Sequence, residues 1–164
     1  MFTPSSESHM RRALELAHEA QKIGEVPVGA VVVREDRIIA GAFNRKECDL
    51  RPTAHAELLA IEAACQSLGA WRLEATQLYV TLEPCIMCWG AILQARIPTV
   101  YFGAADPKAG VCGSVLNLQE TPRFNHHPRV FGGLLAGECG QILTEFFSEL
   151  RGQKKDLAMA NKNM

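Results

Sequence analysis

Two short motifs in this 164-residue chain contain the residue types that bind transition metals. One is His55-x-Glu57, and the other is Pro84-Cys85-x-x-Cys88. Because Cys85 and Cys88 are three positions apart, a helix would place both on one face. Near the start of that helix, unpaired backbone N–H groups favour thiolate over thiol. Two thiolates and one neutral imidazole form a ligand set that suits zinc.

The number of ligands distinguishes a catalytic zinc site from a structural one. A structural site is normally closed by four protein ligands, whereas three ligands leave a position for water. The two motifs supply three ligands, so they favour an open, catalytic site. A fourth ligand would have to come from a residue outside the motifs, and the candidates are Cys48, Cys65, Cys112 and His126.

Glu57 has the type and position of a proton-transferring residue. Two positions along a helix rotate the side chain by about 200°, so His55 and Glu57 share a direction only at the helix tip. A carboxylate there can accept a proton from a water whose pKa zinc has lowered to about 7. The alternative is that Glu57 only complements the dipole of its own helix. Taken together, the residues predict zinc-dependent hydrolysis. A metal-bound water with a proton carrier beside it suits attack on a carbon that bears an amino group, so the bond cleaved is expected to be a C–N bond.

The elements that must position these motifs follow from hydrophobic periodicity and from glycine and proline. The first two predicted strands are joined by the turn-prone Glu35-Asp36 and should form an antiparallel hairpin. The predicted helices cover residues 5–23, a segment from a Thr53 cap to about Leu68, Cys85–Ala95 with Pro84 at the first turn, and about Glu138–Leu150; the predicted strands are Val28–Val33, Arg37–Ala42, Gln77–Leu82 and Thr99–Gly103.

This order of elements predicts an α/β fold with helices on both faces of a central mixed sheet, which is a three-layer α/β/α domain. We expect one domain over residues 1–151, with loops over residues 104–128. The polar residues 152–164 should form a frayed C-terminal tail.

Composition sets further limits on the class of protein. Hydrophobic residues make up 48% of the chain, which suits a globular core and argues against disorder. No apolar run approaches the roughly 18 residues that a membrane span needs, so we expect no membrane association. The polar segment 1–12 does not resemble a secretory signal. Six cysteines are therefore expected as free thiols in a reducing, cytoplasmic setting.

The charge balance bears on nucleic-acid partners. Seventeen basic and eighteen acidic residues give a formal charge of −1. A protein that binds nucleic acid non-specifically is usually far more basic. Any RNA must therefore be held by a local patch or by its shape.

The sequence around the motifs resembles a known superfamily. His-Ala-Glu followed by Thr81-Leu-Glu-Pro-Cys-x-x-Cys88 is similar to the signature of the zinc-dependent cytidine and adenosine deaminases. The similarity to the tRNA-specific adenosine deaminases covers roughly residues 6–151. It is carried by Gly24–Val32, Asn44, Asp106–Gly110, Gly113-Ser114, Asn125-His126, Gly133–Cys139 and Glu145–Phe147.

The resemblance implies a cytidine-deaminase-like fold and a homodimer. It implies that the enzyme hydrolyses the wobble adenosine of a tRNA anticodon stem-loop to inosine. By this resemblance, His55, Cys85 and Cys88 hold one zinc ion per chain, and Glu57 carries protons between water and the adenine ring. Asn44 is implied as a contact to the edge of the purine.

A nearly neutral chain would hold tRNA through few phosphate contacts, so we expect its affinity to fall modestly with salt. The candidate cations are Arg45, Lys46, Arg51, Lys108, Arg123, Arg129, Arg151, Lys154 and Lys155. Three other functions remain open. These are a deaminase of a free base or nucleotide such as guanine or cytosine, a zinc-stabilised binding module without turnover, and a dithiol redox protein.

Overall fold

A five-stranded sheet forms the centre of the molecule. The structure is a computed structural model, and it describes residues 2–162. The strands are β1 (Gly29–Arg34), β2 (Arg37–Phe43), β3 (Gln77–Leu82), β4 (Thr99–Ala104) and β5 (Arg129–Gly132). The helices are α1 (Pro4–Lys22), α2 (Ala56–Leu68), α3 (Ile86–Gln94) and α4 (Ala136–Lys162), with a short 3₁₀ turn at Leu118–Glu120.

The sheet is mixed, as predicted, and its strand order is β2-β1-β3-β4-β5. β1 pairs antiparallel with both β2 and β3, whereas β3–β4 and β4–β5 are parallel. The β1–β2 hairpin turns at Glu35 and Asp36, whose φ angles are 51° and 62°. Two positive φ angles match the type I′ turn that joins twisted antiparallel strands. Because β2, β3 and β4 run in one direction, their carboxyl ends lie at the same edge of the sheet.

Helices cover both faces of the sheet, which confirms the predicted three-layer α/β/α architecture. One face packs against α1 and α4 through a buried cluster that includes Met10, Leu14, Val31, Leu134 and Ile142. The other face packs against α2 and α3 through a larger cluster, which includes Val32, Ile61, Leu78, Trp89 and Ile92.

Both helices that carry the motifs begin later than predicted. The N-cap of α2 is His55 and not Thr53, and the N-cap of α3 is Cys85, so Pro84 precedes the helix. The backbone explains the first difference, because the N–H of Ala54 donates to Arg51 O and the N–H of His55 donates to Thr53 O. The N–H groups of Ala54 and His55 are therefore hydrogen-bonded in turns that precede the helix, and the helix begins after them.

The C-terminal part of the chain departs most from the sequence prediction. No strand was predicted at the four residues of β5, which follow the expected loop of residues 104–128. Among the described strands β5 pairs with β4 alone, and so short an edge strand has little periodicity. The segment expected to form a frayed tail is helical as far as Lys162, because α4 continues past Gly152 to that residue. Lysine, leucine, alanine and methionine are good helix formers, and one glycine does not interrupt them. Residues 163–164 lie outside the described residues.

Within residues 2–162, no helix combines the length and apolar character that a membrane crossing requires. All six cysteines are free thiols.

Candidate metal centre and substrate pocket

The topology brings the two motifs to one edge of the sheet. α2 follows β2, and α3 follows β3, so both helices start beside the carboxyl ends of these strands. His55 and Cys85 are the N-caps of the two helices, and both have extended backbones. Neither side chain makes a capping hydrogen bond, so both are available to a ligand.

Three donor atoms converge at this edge. His55 Nδ1 lies 3.7 Å from Cys85 Sγ and 3.6 Å from Cys88 Sγ, and the three atoms all lie within 4.8 Å of one another. A tetrahedral ion with Zn–S about 2.3 Å and Zn–N about 2.0–2.1 Å separates N from S by about 3.6 Å. The three side chains therefore fit zinc in both donor type and spacing.

The other candidate ligands lie elsewhere. Among the described residues, the candidate metal-binding group consists of His55, Cys85 and Cys88 and has no fourth member. The Cys65 thiol faces Trp71 O, and His126 Nε2 lies 2.7 Å from Ile97 O. A site with three protein ligands is the open type expected for catalysis.

The donors influence one another electrostatically. Interaction with the Cys88 thiol and with His55 lowers the pKa of Cys85 to about 4, even though burial opposes this. The same sulfur–sulfur interaction, together with burial, raises the pKa of Cys88. The contact with Cys85 raises the pKa of His55. Cys85 is therefore the thiol that ionises first, and its negative charge lies between the two helix starts.

Glu57 lies beside these donors and is nearly inaccessible, with 4% of its surface exposed. Burial raises its pKa to about 7, although its own backbone N–H, the charge of His55 and the Cys88 thiol act in the opposite direction. A carboxyl group with this pKa can both accept and release a proton near neutral pH.

A pocket of about 170 Å³ opens onto the metal-binding group. This volume is similar to the roughly 150 Å³ of a protein cavity that binds benzene, so one planar ring fits. Val26, Val28 and Leu82 provide apolar walls. The polar lining comes from Asn44, Lys46, His55, Glu57, Glu83, Cys85 and Asp106.

Asn44 lies in this lining, on the same pocket as His55 and Glu57. Its Nδ2 donates to Val26 O at 3.1 Å and to Glu25 Oε2 at 3.3 Å, and its Oδ1 accepts from the Lys46 N–H. Because carboxylate and carbonyl oxygens only accept, this network orients the amide with its nitrogen toward Glu25 and Val26 and its oxygen away from Glu25.

Sequence reasoning did not identify Glu25 and Glu83, the two buried carboxylates beside the pocket. Glu25 is fully buried and accepts from Cys48 N at 2.6 Å, in addition to Asn44. Glu83 is 2% exposed; burial raises its pKa, but hydrogen bonds from Ser114 and from backbone N–H groups outweigh burial, so the pKa is lowered. Glu83 stands inside the Thr-Leu-Glu-Pro-Cys motif, which was the available signal.

A wider groove of about 610 Å³ adjoins the pocket and shares Val26, Leu82 and Asp106 with it. Phe147 from α4 lines this groove and is 40% exposed. Lys108 and Arg151 provide its positive charge. The groove therefore offers an aromatic surface and two cations next to the metal-binding group.

Comparison with known proteins identifies the class. Residues 3–104 match the family model described as the cytidine and deoxycytidylate deaminase zinc-binding region. The chain therefore belongs to this deaminase family. The matched segment contains the three candidate ligands and Glu57.

Comparison with individual proteins shows which kinds of deaminase the chain is similar to. The chain is 50% identical over 158 residues to the tRNA-specific adenosine deaminase of Bacillus subtilis (strain 168), covering 96% of each chain. A solved tRNA:A34 deaminase, described in work on A-to-I editing at the wobble position, is 45% identical with a TM-score of 0.80; the match covers 83% of this chain and 99% of that one. A guanine deaminase from Bacillus subtilis is 38% identical, with a TM-score of 0.60 over 73% of this chain and 76% of its own.

Proposed function

We propose that this protein is a zinc-dependent hydrolase that converts adenosine to inosine at the wobble position of a tRNA anticodon. The observation that supports this best is the placement of buried Glu57 beside the His55, Cys85 and Cys88 donors at the end of a pocket sized for one ring. The 50% identity over nearly the whole chain to a tRNA-specific adenosine deaminase favours this substrate over a free base.

The reaction follows from the positions of the side chains. His55, Cys85 and Cys88 would hold one zinc ion per chain, which supplies a nucleophile by lowering the pKa of a bound water to about 7. The Glu57 carboxylate accepts a proton from the attacking water and delivers a proton to N1 of the adenine ring. The oxygen bonds to C6, and the Glu57 carboxylate then takes the remaining proton of the new hydroxyl group and donates it to the amino group. The C6–N bond breaks, and ammonia leaves. Adenosine and water are thereby converted to inosine and ammonia.

Asn44 is the proposed contact to the purine edge. Its Nδ2 is occupied by Val26 O and Glu25, so the side chain has acceptor capacity left on Oδ1. An acceptor in the pocket wall suits an N–H or O–H group of the nucleoside.

RNA binding is supported by the groove beside the pocket. A base reaches a deep pocket only when it is splayed out of the loop, and neighbouring nucleotides then lie along the protein surface. Phe147 offers a ring for stacking, and Lys108 and Arg151 offer charge for phosphates. So few cations imply a modest salt dependence of binding.

A homodimer and a cytoplasmic location complete the proposal. Ile86, Val115 and Leu116 are 63%, 51% and 48% exposed. They lie at the start of α3 and in a loop that is tied to it by the hydrogen bond from Val111 N to Pro84 O. A second copy of the chain would cover these apolar side chains.

The cysteines support the proposed cytoplasmic location, because six free thiols suit a reducing compartment.

The dimer is tested by sedimentation. We expect the wild type to sediment as a dimer and Ile86→Lys to shift it toward monomer with its zinc retained. A wild type that is monomeric at micromolar concentration would contradict this part of the proposal.

The central experiment uses zinc-loaded protein and a short anticodon stem-loop with adenosine at the wobble position. The RNA is digested, and inosine is measured by mass spectrometry. Glu57→Ala is the matched enzyme control, and a stem-loop with guanosine at the same position is the matched substrate control.

Inosine formed by the wild type alone would support the reaction, the substrate and the role of Glu57. Ammonia released from free guanine or cytosine, without inosine in the RNA, would instead establish a free-base deaminase. Zinc binding without ammonia from any of these substrates would favour a binding module.

A further inference from the structure

We infer that Glu83 is a positioning residue, which fixes the loop of residues 105–116 as one wall of the substrate pocket. The inference deepens the proposed function, because that function names the substrate this wall faces. Glu83 follows β3 directly, and its N–H donates to Ala104 O at the end of β4. The backbone of Glu83 is therefore fixed at the ends of the two parallel strands, where the loop begins.

The four acceptor positions of the Glu83 carboxylate are all used by this one loop. Oε1 accepts from the N–H groups of Cys112 and Ser114, at 2.8 and 3.1 Å. Oε2 accepts from Asp106 N at 3.0 Å and from the Ser114 hydroxyl. A carboxylate has about four such positions, so Glu83 has none left for a substrate.

These bonds join both ends of the loop to a single side chain. Asp106 lies near its start and Ser114 near its end, eight positions further along. The loop reaches the pocket through Asp106 and Ala109. Asp106 continues the order locally, because its Oδ1 accepts from the N–H groups of Lys108 and Ala109. Glu83 thereby acts on the pocket through Asp106.

The fit between Glu83 and the loop is close. A Cβ placed on Gly110 would lie 2.3 Å from the Glu83 carboxyl carbon and 2.7 Å from Asp106 O. Such contacts are too short for any side chain, so the loop approaches Glu83 only with glycine at position 110. Glu83 and Gly110 together therefore determine the position of the loop that forms this wall of the pocket.

No cation balances this buried charge among residues 2–162, since none of the ion pairs there includes Glu83. Its charge is stabilised by N–H and O–H donors alone. A carboxylate accepts at all four positions, and a neutral amide does not. The identity of the side chain is therefore as important as its shape.

Glu83→Gln tests the hydrogen-bonding character of the side chain separately from its shape. The amide has nearly the same shape, but one of its two ends becomes a donor. That end is expected at the Oε2 position, because the Ser114 hydroxyl can turn to accept there, whereas Cys112 and Ser114 offer only N–H groups to Oε1. Asp106 N then loses its acceptor, and the pocket side of the loop is released.

The test combines kinetics with hydrogen exchange on full-length, zinc-loaded protein and the adenosine stem-loop. For Glu83→Gln we expect KM to rise about tenfold and kcat to stay within about threefold, since substrate positioning is lost while the reacting groups stay in place. Zinc content should match the wild type. The amides of residues 106–114 should exchange faster, and those of β1 should not.

Gly110→Ala is the second variant, because it displaces the loop without changing Glu83, and it should show the same rise in KM and the same local exchange. Gly137→Ala is its control, since a Cβ at Gly137 meets no atom within 4 Å. Leu14→Ala controls for stability, because it removes a buried side chain from the opposite face of the sheet.

Wild-type KM and local exchange in Glu83→Gln would overturn the inference. So would equal kinetic losses in Glu83→Gln and Leu14→Ala at matched stability, since the role would then be merely structural. Absence of inosine from the wild-type reaction would contradict the proposed function; the exchange of residues 106–114 would then decide by itself whether Glu83 holds the loop.

Discussion

At the residue scale, the proposed roles of metal binding and proton transfer fall on different side chains. The three donor atoms lie within 4.8 Å of one another, while Glu57 lies beside them with an elevated pKa. Only two positions separate His55 from Glu57 in the chain. The start of α2 allows both side chains to approach one point, which a position deeper in a helix would prevent.

This separation predicts opposite outcomes for two alanine variants. Glu57→Ala should keep its zinc and fold and lose at least about 10²-fold in kcat, because only the proton carrier is removed. His55→Ala should lose zinc and also stability, since metal binding is coupled to folding. Zinc is measured by atomic emission and unfolding by calorimetry.

Cys88→Ala serves as a second ligand variant in the same experiment, and it should behave like His55→Ala. Retention of near-normal kcat in Glu57→Ala would refute the assigned proton transfer. Full zinc occupancy in His55→Ala would refute the ligand set.

At the element scale, the site depends on how closely α1 packs against β1. A Cβ on Gly29 would lie 1.9 Å from Ala13 O and 2.7 Å from Ala17 N, and both are backbone atoms of α1. Glycine at this position lets the helix lie directly on the strand. β1 in turn holds β2 and β3, which lead to the two motifs.

We therefore expect Gly29→Ala to lower the free energy of unfolding by about 3 kcal/mol, since the helix must move to admit the methyl group. Urea unfolding followed by circular dichroism measures this change. Gly137→Ala, which adds a methyl group in open space, should cause no loss. Equal stability of the two variants would show that α1 moves at little cost.

The predicted and observed bounds of the helices and strands show which elements sequence patterns can locate. β3 was predicted at its observed bounds, because its apolar residues lie between a turn and a proline. The starts of α2 and α3 were misplaced, since the hydrogen bonds of residues 51–55 and the position of Pro84 decide them. β5 was missed because its pairing partner, β4, lies about thirty positions earlier in the chain.

At the scale of the whole molecule, burial changes the proton affinity of thiols far from the site. Cys139 is fully buried where α4 packs on the sheet, and burial, aided by the charge of Glu138, raises its pKa to about 12. In the unfolded chain a thiol has a pKa of about 8.5. Above that pH the unfolded state releases a proton that the folded state retains.

Stability should therefore fall as pH rises above about 8.5, by up to about 1.4 kcal/mol per pH unit for this thiol. Cys139→Ala removes this contribution, so its unfolding free energy should decline less steeply between pH 8.5 and 10. The comparison uses urea unfolding at several pH values, with Gly137→Ala as a control on the same helix. Identical slopes for wild type and Cys139→Ala would contradict this account.

The sequence by itself was sufficient to predict the chemistry proposed for the site. The types and spacing of His55, Glu57, Cys85 and Cys88 are local properties, and they predicted a three-ligand zinc site with a carboxylate beside it. Hydrophobic periodicity likewise predicted the mixed sheet and its two helical layers. Each motif and each element is recognised from neighbouring residues, and their order along the chain supplies the architecture, so these predictions could be made without the fold.

The tertiary structure decided which distant residues act together. His55 Nδ1 lies 3.6 Å from Cys88 Sγ because β2 and β3 end at one edge of the sheet. The burial of Glu57, the network of Glu25 with Asn44 and the hold of Glu83 on residues 106–114 arise in the same way. Burial and hydrogen-bond partners are set by segments far apart in the chain, and for this reason they were not apparent before the fold was known.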